Sequence, residues 1–144
     1  MIEQDTVKLL RECDSGAKMG IQSLQDVQDR VKDDNMRRML LTSVDEHEKL
    51  SHDIQEHLHR FDDEGKDPSV MASGMAWLKA HAEMMMNGSD ETIADLMTDG
   101  CNMGIKSLSR YLNQYTAADE KSKDFAKRLI GMEEHLVQDL RAYL

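Results

Sequence analysis

Apolar side chains recur at three- and four-residue spacing along most of the chain, which predicts amphipathic α-helices. A short polar link at 32–35 separates the first two helices, and Asp33 or Asp34 is placed to cap the second. Two long helices joined by so short a link form an antiparallel hairpin. The predicted inward positions are Leu10, Cys13, Ala17, Ile21, Leu24, Gln28 and Val31, followed by Met36, Leu40, Ser43, His47, Leu50, Ile54, Leu58 and Phe61.

The second half of the chain contains another pair of long helical patterns. The pair Asp67-Pro68 is typical of a helix start and Asn87-Gly88 of a helix end. Ser89 or Asp90 is then placed to cap the third long helix. We predict a single all-α domain over 1–144, with one hairpin over 3–62, a crossover helix over 68–86 and a second hairpin over 90–144.

The two hairpins have related sequences. Residues 19–24 (MGIQSL) match residues 103–108 (MGIKSL), 84 positions later. At the start of the second helix of each hairpin, Asp33 aligns with Asp119 at an offset of 86. The fourth helix is predicted to begin near Asp119. The same offset places His47 on Glu133. Such a repeat suggests that a helix pair was duplicated.

This organisation resembles the ferritin-like superfamily, in which a long connection between helices two and three runs the length of a four-helix bundle. The resemblance covers nearly the whole chain, at the level of architecture. Di-iron members of that superfamily carry an inward Glu on each of two helices and a Glu-x-x-His pair on each of the other two. The corresponding positions here are Ala17 with Gly20, His47, Cys101 with Gly104, and Glu133.

These positions do not supply a full set of di-iron ligands. Glu12 is expected on the polar side of the first helix, and Asp14 at its boundary. His47 has no Glu three residues before it, and Glu133 has no His three residues after it. The sequence therefore predicts no ferroxidase or oxygenase activity.

His47 and Glu133 are expected to meet across the core, because each lies near the centre of its helix and of its apolar stripe. A lone buried carboxylate costs several kcal/mol, so Glu133 needs a partner. The pair is either structural, fixing the helix register, or part of a site for one metal ion with Cys101 or Asp14. Imidazole, carboxylate and thiolate together suit zinc or iron.

Small residues crowd the same layer of the predicted bundle. Glycine inside a helix costs about 1 kcal/mol relative to alanine, so several glycines imply a reason in packing or in binding. They indicate either a close approach of helices or a pocket. The small and sulfur-containing residues concerned are Cys13, Gly16, Ala17, Gly20, Gly100, Cys101 and Gly104.

Composition narrows the classes of partner. Lys and Arg total 18 against 28 Asp and Glu, a formal net charge of -10, which argues against nucleic acid and against an anionic membrane surface. No apolar run approaches the roughly 20 residues that span a bilayer, and the first residues lack a signal-peptide core. With two cysteines as well, a reducing cytoplasm is expected.

Several further histidines are predicted to be exposed, and the methionines cluster in one predicted helix. We predict His57 and His135 at the surface or rim, and a solvated stripe formed by Glu48, His52, Glu56 and His59. Methionines concentrate in the predicted crossover helix, where Met84, Met85 and Met86 join Met71, Met75 and Trp77. Because methionine packs adaptably, this helix either fills the bundle groove or forms a homo-oligomer interface.

The sequence thus predicts a ferritin-like four-helix bundle with a structural or interaction role, no catalytic residues and no cofactor. The alternative is a protein that binds a small molecule, or one iron or zinc ion, at the middle of the bundle. The metal ligands in that case would be His47, Glu133, Cys101 and Asp14.

Overall fold

The chain folds into long helices packed along their lengths. The computed structural model describes residues 2–65, 81 and 88–144, and in that part it contains four α-helices and no strand. This confirms the all-α prediction. Of the predicted crossover helix over 68–86, which carries the proposed oligomer interface, only His81 lies within the described residues. The helices are α1 (Ile2–Gln28), α2 (Asp34–His59), α3 (Asp90–Gln114) and α4 (Glu120–Leu140), followed by a 3-10 turn at Arg141–Tyr143.

Three of the helices begin at a side chain that caps their first turn. The capping oxygen accepts a hydrogen bond from the backbone N–H three residues later, at Asp33 (2.8 Å), Ser89 (3.3 Å) and Asp119 (2.7 Å). Such bonds satisfy N–H groups that have no partner inside the helix. The predicted starts of the second, third and fourth long helices are confirmed, with Asp33 and Ser89 as the caps among the alternatives.

Contacts at the two ends of the bundle fix the directions of the helices. Asp90, at the start of α3, accepts hydrogen bonds from the backbone N–H groups of Lys32 and Asp33 at 2.8 and 2.9 Å, so α3 begins beside the α1–α2 turn. At the opposite end, His57 near the end of α2 lies 2.9 Å from Asp119 at the start of α4. Helices α2 and α3 therefore point the same way, and the chain between them joins opposite ends of the bundle.

The apolar core consists of two clusters, one in each half of the bundle. Both clusters contain fully buried leucine and isoleucine side chains, and each of these contributes about 1.5–3 kcal/mol relative to exposure. Between the clusters, α1 and α3 present Gly20 and Gly104, while α2 and α4 present His47 and Glu133. The polar groups thus occupy a layer held in place by apolar packing on both sides.

The prediction for His57 is wrong, whereas that for His135 is confirmed. His57 is 6% exposed and lies edge-on to the rings of Phe61 and Phe125, with centroids 5.4 and 5.9 Å away. His135 is exposed and lies beside Asp139. His57 is buried because it follows Leu50 by seven residues and Ile54 by three, which places it on the apolar face of α2.

Candidate functional site: a cavity in the middle of the bundle

His47 and Glu133 meet across the bundle as the sequence predicts. His47 Nε2 lies 3.4 Å from Glu133 Oε1, and the two side chains are 1% and 12% exposed. On the other side of the ring, Nδ1 lies 2.7 Å from the backbone oxygen of Ser43, one turn earlier in α2. Because that oxygen only accepts hydrogen bonds, Nδ1 carries a proton and the ring is held with Nε2 towards Glu133.

This orientation favours the charged form of His47. Burial by itself lowers the pKa of the imidazole, but the hydrogen bond and charge of Glu133, with smaller contributions from Ser43 and Glu46, raise the pKa above its ordinary 6.5. An unprotonated Nε2 would direct its lone pair at the carboxylate, which is repulsive. The pair is therefore an imidazolium and a carboxylate over a wider range of pH than an exposed histidine would allow.

Cys101 of α3 lies on the other side of the same carboxylate. Burial raises the pKa of the Cys101 thiol, and the charge of Glu133 and a hydrogen bond to it raise that pKa further. The thiol therefore stays protonated and donates to Glu133, which makes it a poor nucleophile. Three of the four residues predicted as metal ligands are brought together here.

The fourth predicted ligand, Asp14, lies elsewhere. It is fully buried, and Lys18 Nζ lies 2.7 Å from its carboxylate oxygen Oδ2. Gln55 also donates to Asp14, and Gln55 is eight residues beyond His47, about 12 Å along α2. Asp14 does not line the central cavity. Asp14 was predicted at the boundary between the polar and apolar faces of α1. In the structure that position lies against α2 and not in the middle layer.

Two glycines at matching places in the repeat face these polar groups differently. A Cβ atom on Gly20 would lie 2.8 Å from Cδ2 of His47, so the imidazole occupies the space that a side chain would need. A Cβ atom on Gly104 would lie 3.8 Å from Cδ of Glu133, an ordinary van der Waals distance. Glycine is thus required by packing at Gly20, whereas at Gly104 it leaves room.

That room belongs to a cavity of about 100 Å³ in the middle of the bundle. A buried water needs only about 10–15 Å³ of such volume, so the cavity has room for several waters or for a small molecule. Its lining combines small residues, apolar side chains and a few polar groups: Glu12, Gly16, Met19, Gly20, Ser23, Leu24, His47, Met97, Gly100, Cys101, Met103, Gly104, Ser107, Leu108, Tyr111, Leu129, Glu133 and Leu136.

Glu12 was expected on the polar side of α1, and that expectation is wrong. Glu12 lines the cavity, near Tyr111 of α3. Partial burial, followed by the charge of Glu12 and a hydrogen bond to it, raises the pKa of the Tyr111 hydroxyl. A signal was present in the sequence, since Glu12 precedes Gly16 by four residues and Gly20 by eight, which puts it on the glycine face of α1.

The cavity does not have the donor set of a preformed metal centre. Among residues 2–65, 81 and 88–144, no three His, Cys, Asp or Glu side chains are arranged so that they could hold a metal ion. His47, Glu133 and Cys101 meet, but through hydrogen bonds among themselves. The single-metal site therefore stays a prediction.

Two further findings concern the chain as a whole. None of the helices in the described part has the length and apolar character needed to cross a membrane. Comparison with known proteins finds no family that matches the chain, no similar curated protein and no similar solved structure.

Proposed function

We propose that this protein is a non-catalytic, ferritin-like bundle that binds a small molecule in its central cavity. The ferritin-like part of the proposal is supported by the parallel directions of α2 and α3, which require a connection between opposite ends of the bundle. The non-catalytic part is supported by Cys101, the thiol in the cavity wall, whose raised pKa keeps it protonated.

The observation that carries the binding proposal is the space beside Gly104. An alanine there would gain about 1 kcal/mol in helix propensity, and its Cβ would contact Glu133 at an unstrained distance. Leaving the position as glycine therefore sacrifices stability without a packing reason, and the result is a cavity lined by polar groups. Pockets of this kind, mostly apolar with a few oriented polar groups, are the usual sites for small ligands.

A single metal ion is the second candidate, favoured by the meeting of His47, Glu133 and Cys101 around one carboxylate. Zinc or iron bound there would need the Nε2 lone pair of His47 and the thiolate of Cys101, so binding would release protons. An Asp14 ligand is not part of this candidate, because that side chain is held by Lys18 and Gln55.

The test is a screen of neutral and cationic fragments of up to about ten heavy atoms by ligand-observed NMR. The comparison variant is Gly104→Leu, which places a side chain in the cavity. The matched control is Gly131→Leu, the same change at an exposed position of α4 with nothing near its Cβ. We expect fragments that bind the wild type and the Gly131→Leu variant and not the Gly104→Leu variant.

The same protein, purified from its source, is analysed for zinc and iron. One metal per chain, lost in His47→Ala, would replace the small-molecule proposal with the metal-binding one. Fragments that bind all three proteins equally, or none of them, together with no metal, would overturn both and leave the structural or interaction role predicted from the sequence.

A further inference from the structure

The cavity extends along the bundle between two carboxylates. Glu133 lies at the level of Gly20, whose Cβ position is 3.8 Å from Glu133 Oε1. Glu12 lies eight residues before Gly20 on α1, which is about 12 Å along the helix axis. Tyr111, whose pKa is raised by partial burial and by the nearby Glu12, lies seven residues after Gly104 on α3, about 10 Å away in the same direction. The Glu133 carboxylate and the backbone of Glu12 are therefore separated along the bundle by roughly the length of two helical turns.

The charges of the lining select for positive ligands. Among the described residues that line the cavity there is no Lys or Arg, and their one positive group is the imidazolium of His47. That group faces Oε1 of Glu133, whereas Oε2 lies on the side of Gly104. An anionic ligand would meet two carboxylates without a compensating cation, and burial of such charges together is costly.

The wall between the two acids is mostly small and apolar, with Ser107 contributing one hydroxyl group. Gly16 and Leu108 lie between them along α1 and α3, and Leu129 of α4 approaches to 3.4 Å from the Cβ position of Gly16. A chain of methylene groups fits this stretch, because each buried CH₂ contributes about 0.8 kcal/mol. Polar groups in the middle of a ligand would have few partners in this part of the wall.

From these observations we propose that the ligand is a short linear diamine, with one ammonium group paired with Glu133 and the other with Glu12. The inference rests on the proposed small-molecule function and names the class of ligand. Charge-assisted hydrogen bonds of about 2.8 Å at each end take up about 6 Å of the roughly 12 Å between the level of Glu133 Oε1 and the backbone level of Glu12. The remaining 6 Å corresponds to the nitrogen-to-nitrogen span of a chain of about four or five carbons.

The test is isothermal titration calorimetry with 1,4-diaminobutane and 1,5-diaminopentane as probes, at low ionic strength. The matched probes are 1-aminobutane, which has the same chain and one ammonium group, and 1,4-butanediol, which has none. We expect the diamines to bind at least about tenfold more tightly than 1-aminobutane, since a diamine adds a second charge-assisted hydrogen bond at Glu12. The diol is expected to bind most weakly.

Variants assign the two ends of the ligand. Glu12→Gln and Glu133→Gln each remove one charge with little change in shape, and each should reduce diamine affinity by about tenfold. Glu134→Gln, an exposed neighbour of Glu133, is the control for general attraction of cations to a chain of net charge -10, and it should leave the affinity unchanged. Circular dichroism establishes that each variant is folded.

Several results would overturn the diamine proposal. Equal affinities for 1,4-diaminobutane and 1-aminobutane would exclude a second ammonium site, and an equal loss in Glu134→Gln would show attraction to the acidic surface. Neutral fragments that bind in the screen above, without any diamine binding, would refute the ligand class and leave the small-molecule function standing. Failure of both fragments and diamines to bind would refute the two proposals together.

Discussion

The two hairpins place a glycine opposite a polar side chain at equivalent positions, but they close over that side chain to different degrees. In α1–α2, the Cβ position of Gly20 is 2.8 Å from the His47 ring, and in α3–α4 that of Gly104 is 3.8 Å from Glu133. The His47 side chain is 1% exposed and that of Glu133 is 12% exposed. The first hairpin therefore uses its glycine for packing, and the second uses it to leave the space that becomes the cavity.

Adding one methyl group to each glycine tests whether the two positions differ in this way. Gly20→Ala forces the His47 ring to move, and overpacking of this kind costs about 1–3 kcal/mol. Gly104→Ala fits without strain and should raise the free energy of unfolding by up to about 1 kcal/mol through helix propensity. Urea unfolding followed by circular dichroism measures both. Equal effects of the two substitutions would contradict the different roles assigned to the glycines.

The capping residues of α2 and α4 give the next largest difference. Asp33 and Asp119 each cap a helix, but Asp119 also lies 2.9 Å from His57 Nε2 and accepts a hydrogen bond from it. Loss of a cap costs about 0.5–2 kcal/mol. We expect Asp33→Ala near 1 kcal/mol and Asp119→Ala near 2 kcal/mol in urea unfolding at neutral pH. A larger cost for Asp33→Ala would show that the His57 contact adds no stability.

The Asp119 contribution also depends on pH. Partial burial alone raises the pKa of this carboxyl, but hydrogen bonds from Ser122 and the contact with His57 outweigh it and lower the pKa below its ordinary 3.8. Its stabilisation is therefore present above that value and is lost as pH falls through the folded-state pKa. The stability difference between the wild type and Asp119→Asn should shrink on acidification. A difference that grows at low pH would refute the direction of the shift.

Helix positions and the central contact could be predicted from the sequence because they follow from local patterns. Period and capping residues fix where α2 and α4 begin, and the repeat offset relates His47 to Glu133. Their level in the bundle follows because both lie near mid-helix. The direction of the second hairpin could not be predicted in this way, since a long connection is compatible with either direction. The contacts of Asp90 and His57 settle it.

The cavity itself was only one of two alternatives that the sequence left open. In the sequence, glycines on α1 and α3 are consistent both with close helix packing and with a pocket. Only the distance from each glycine to the neighbouring side chain distinguishes these alternatives. Glu12 was missed because its charge suggested solvent, although its spacing from Gly16 and Gly20 placed it on the inner face. For Glu12, the helical spacing predicts the face of α1 correctly, whereas the charge of the side chain does not.

The smallest expected effect concerns the contact between His47 of the first hairpin and Glu133 of the second. In wild type, Glu133 raises the pKa of His47, opposing the effect of burial, so in Glu133→Gln the NMR titration midpoint of His47 should fall. His135, which is exposed and lies beside Asp139, is the control, and its NMR signals should be the same in both proteins. The stabilisation from the pair is complete below the ordinary pKa of 6.5 and is lost as pH rises through the folded-state value. Because the 3.4 Å separation is long for a charge-assisted hydrogen bond, this contribution should be smaller than those of the glycine and the cap. An unchanged or higher His47 midpoint in Glu133→Gln would show that the two hairpins do not interact electrostatically at this layer.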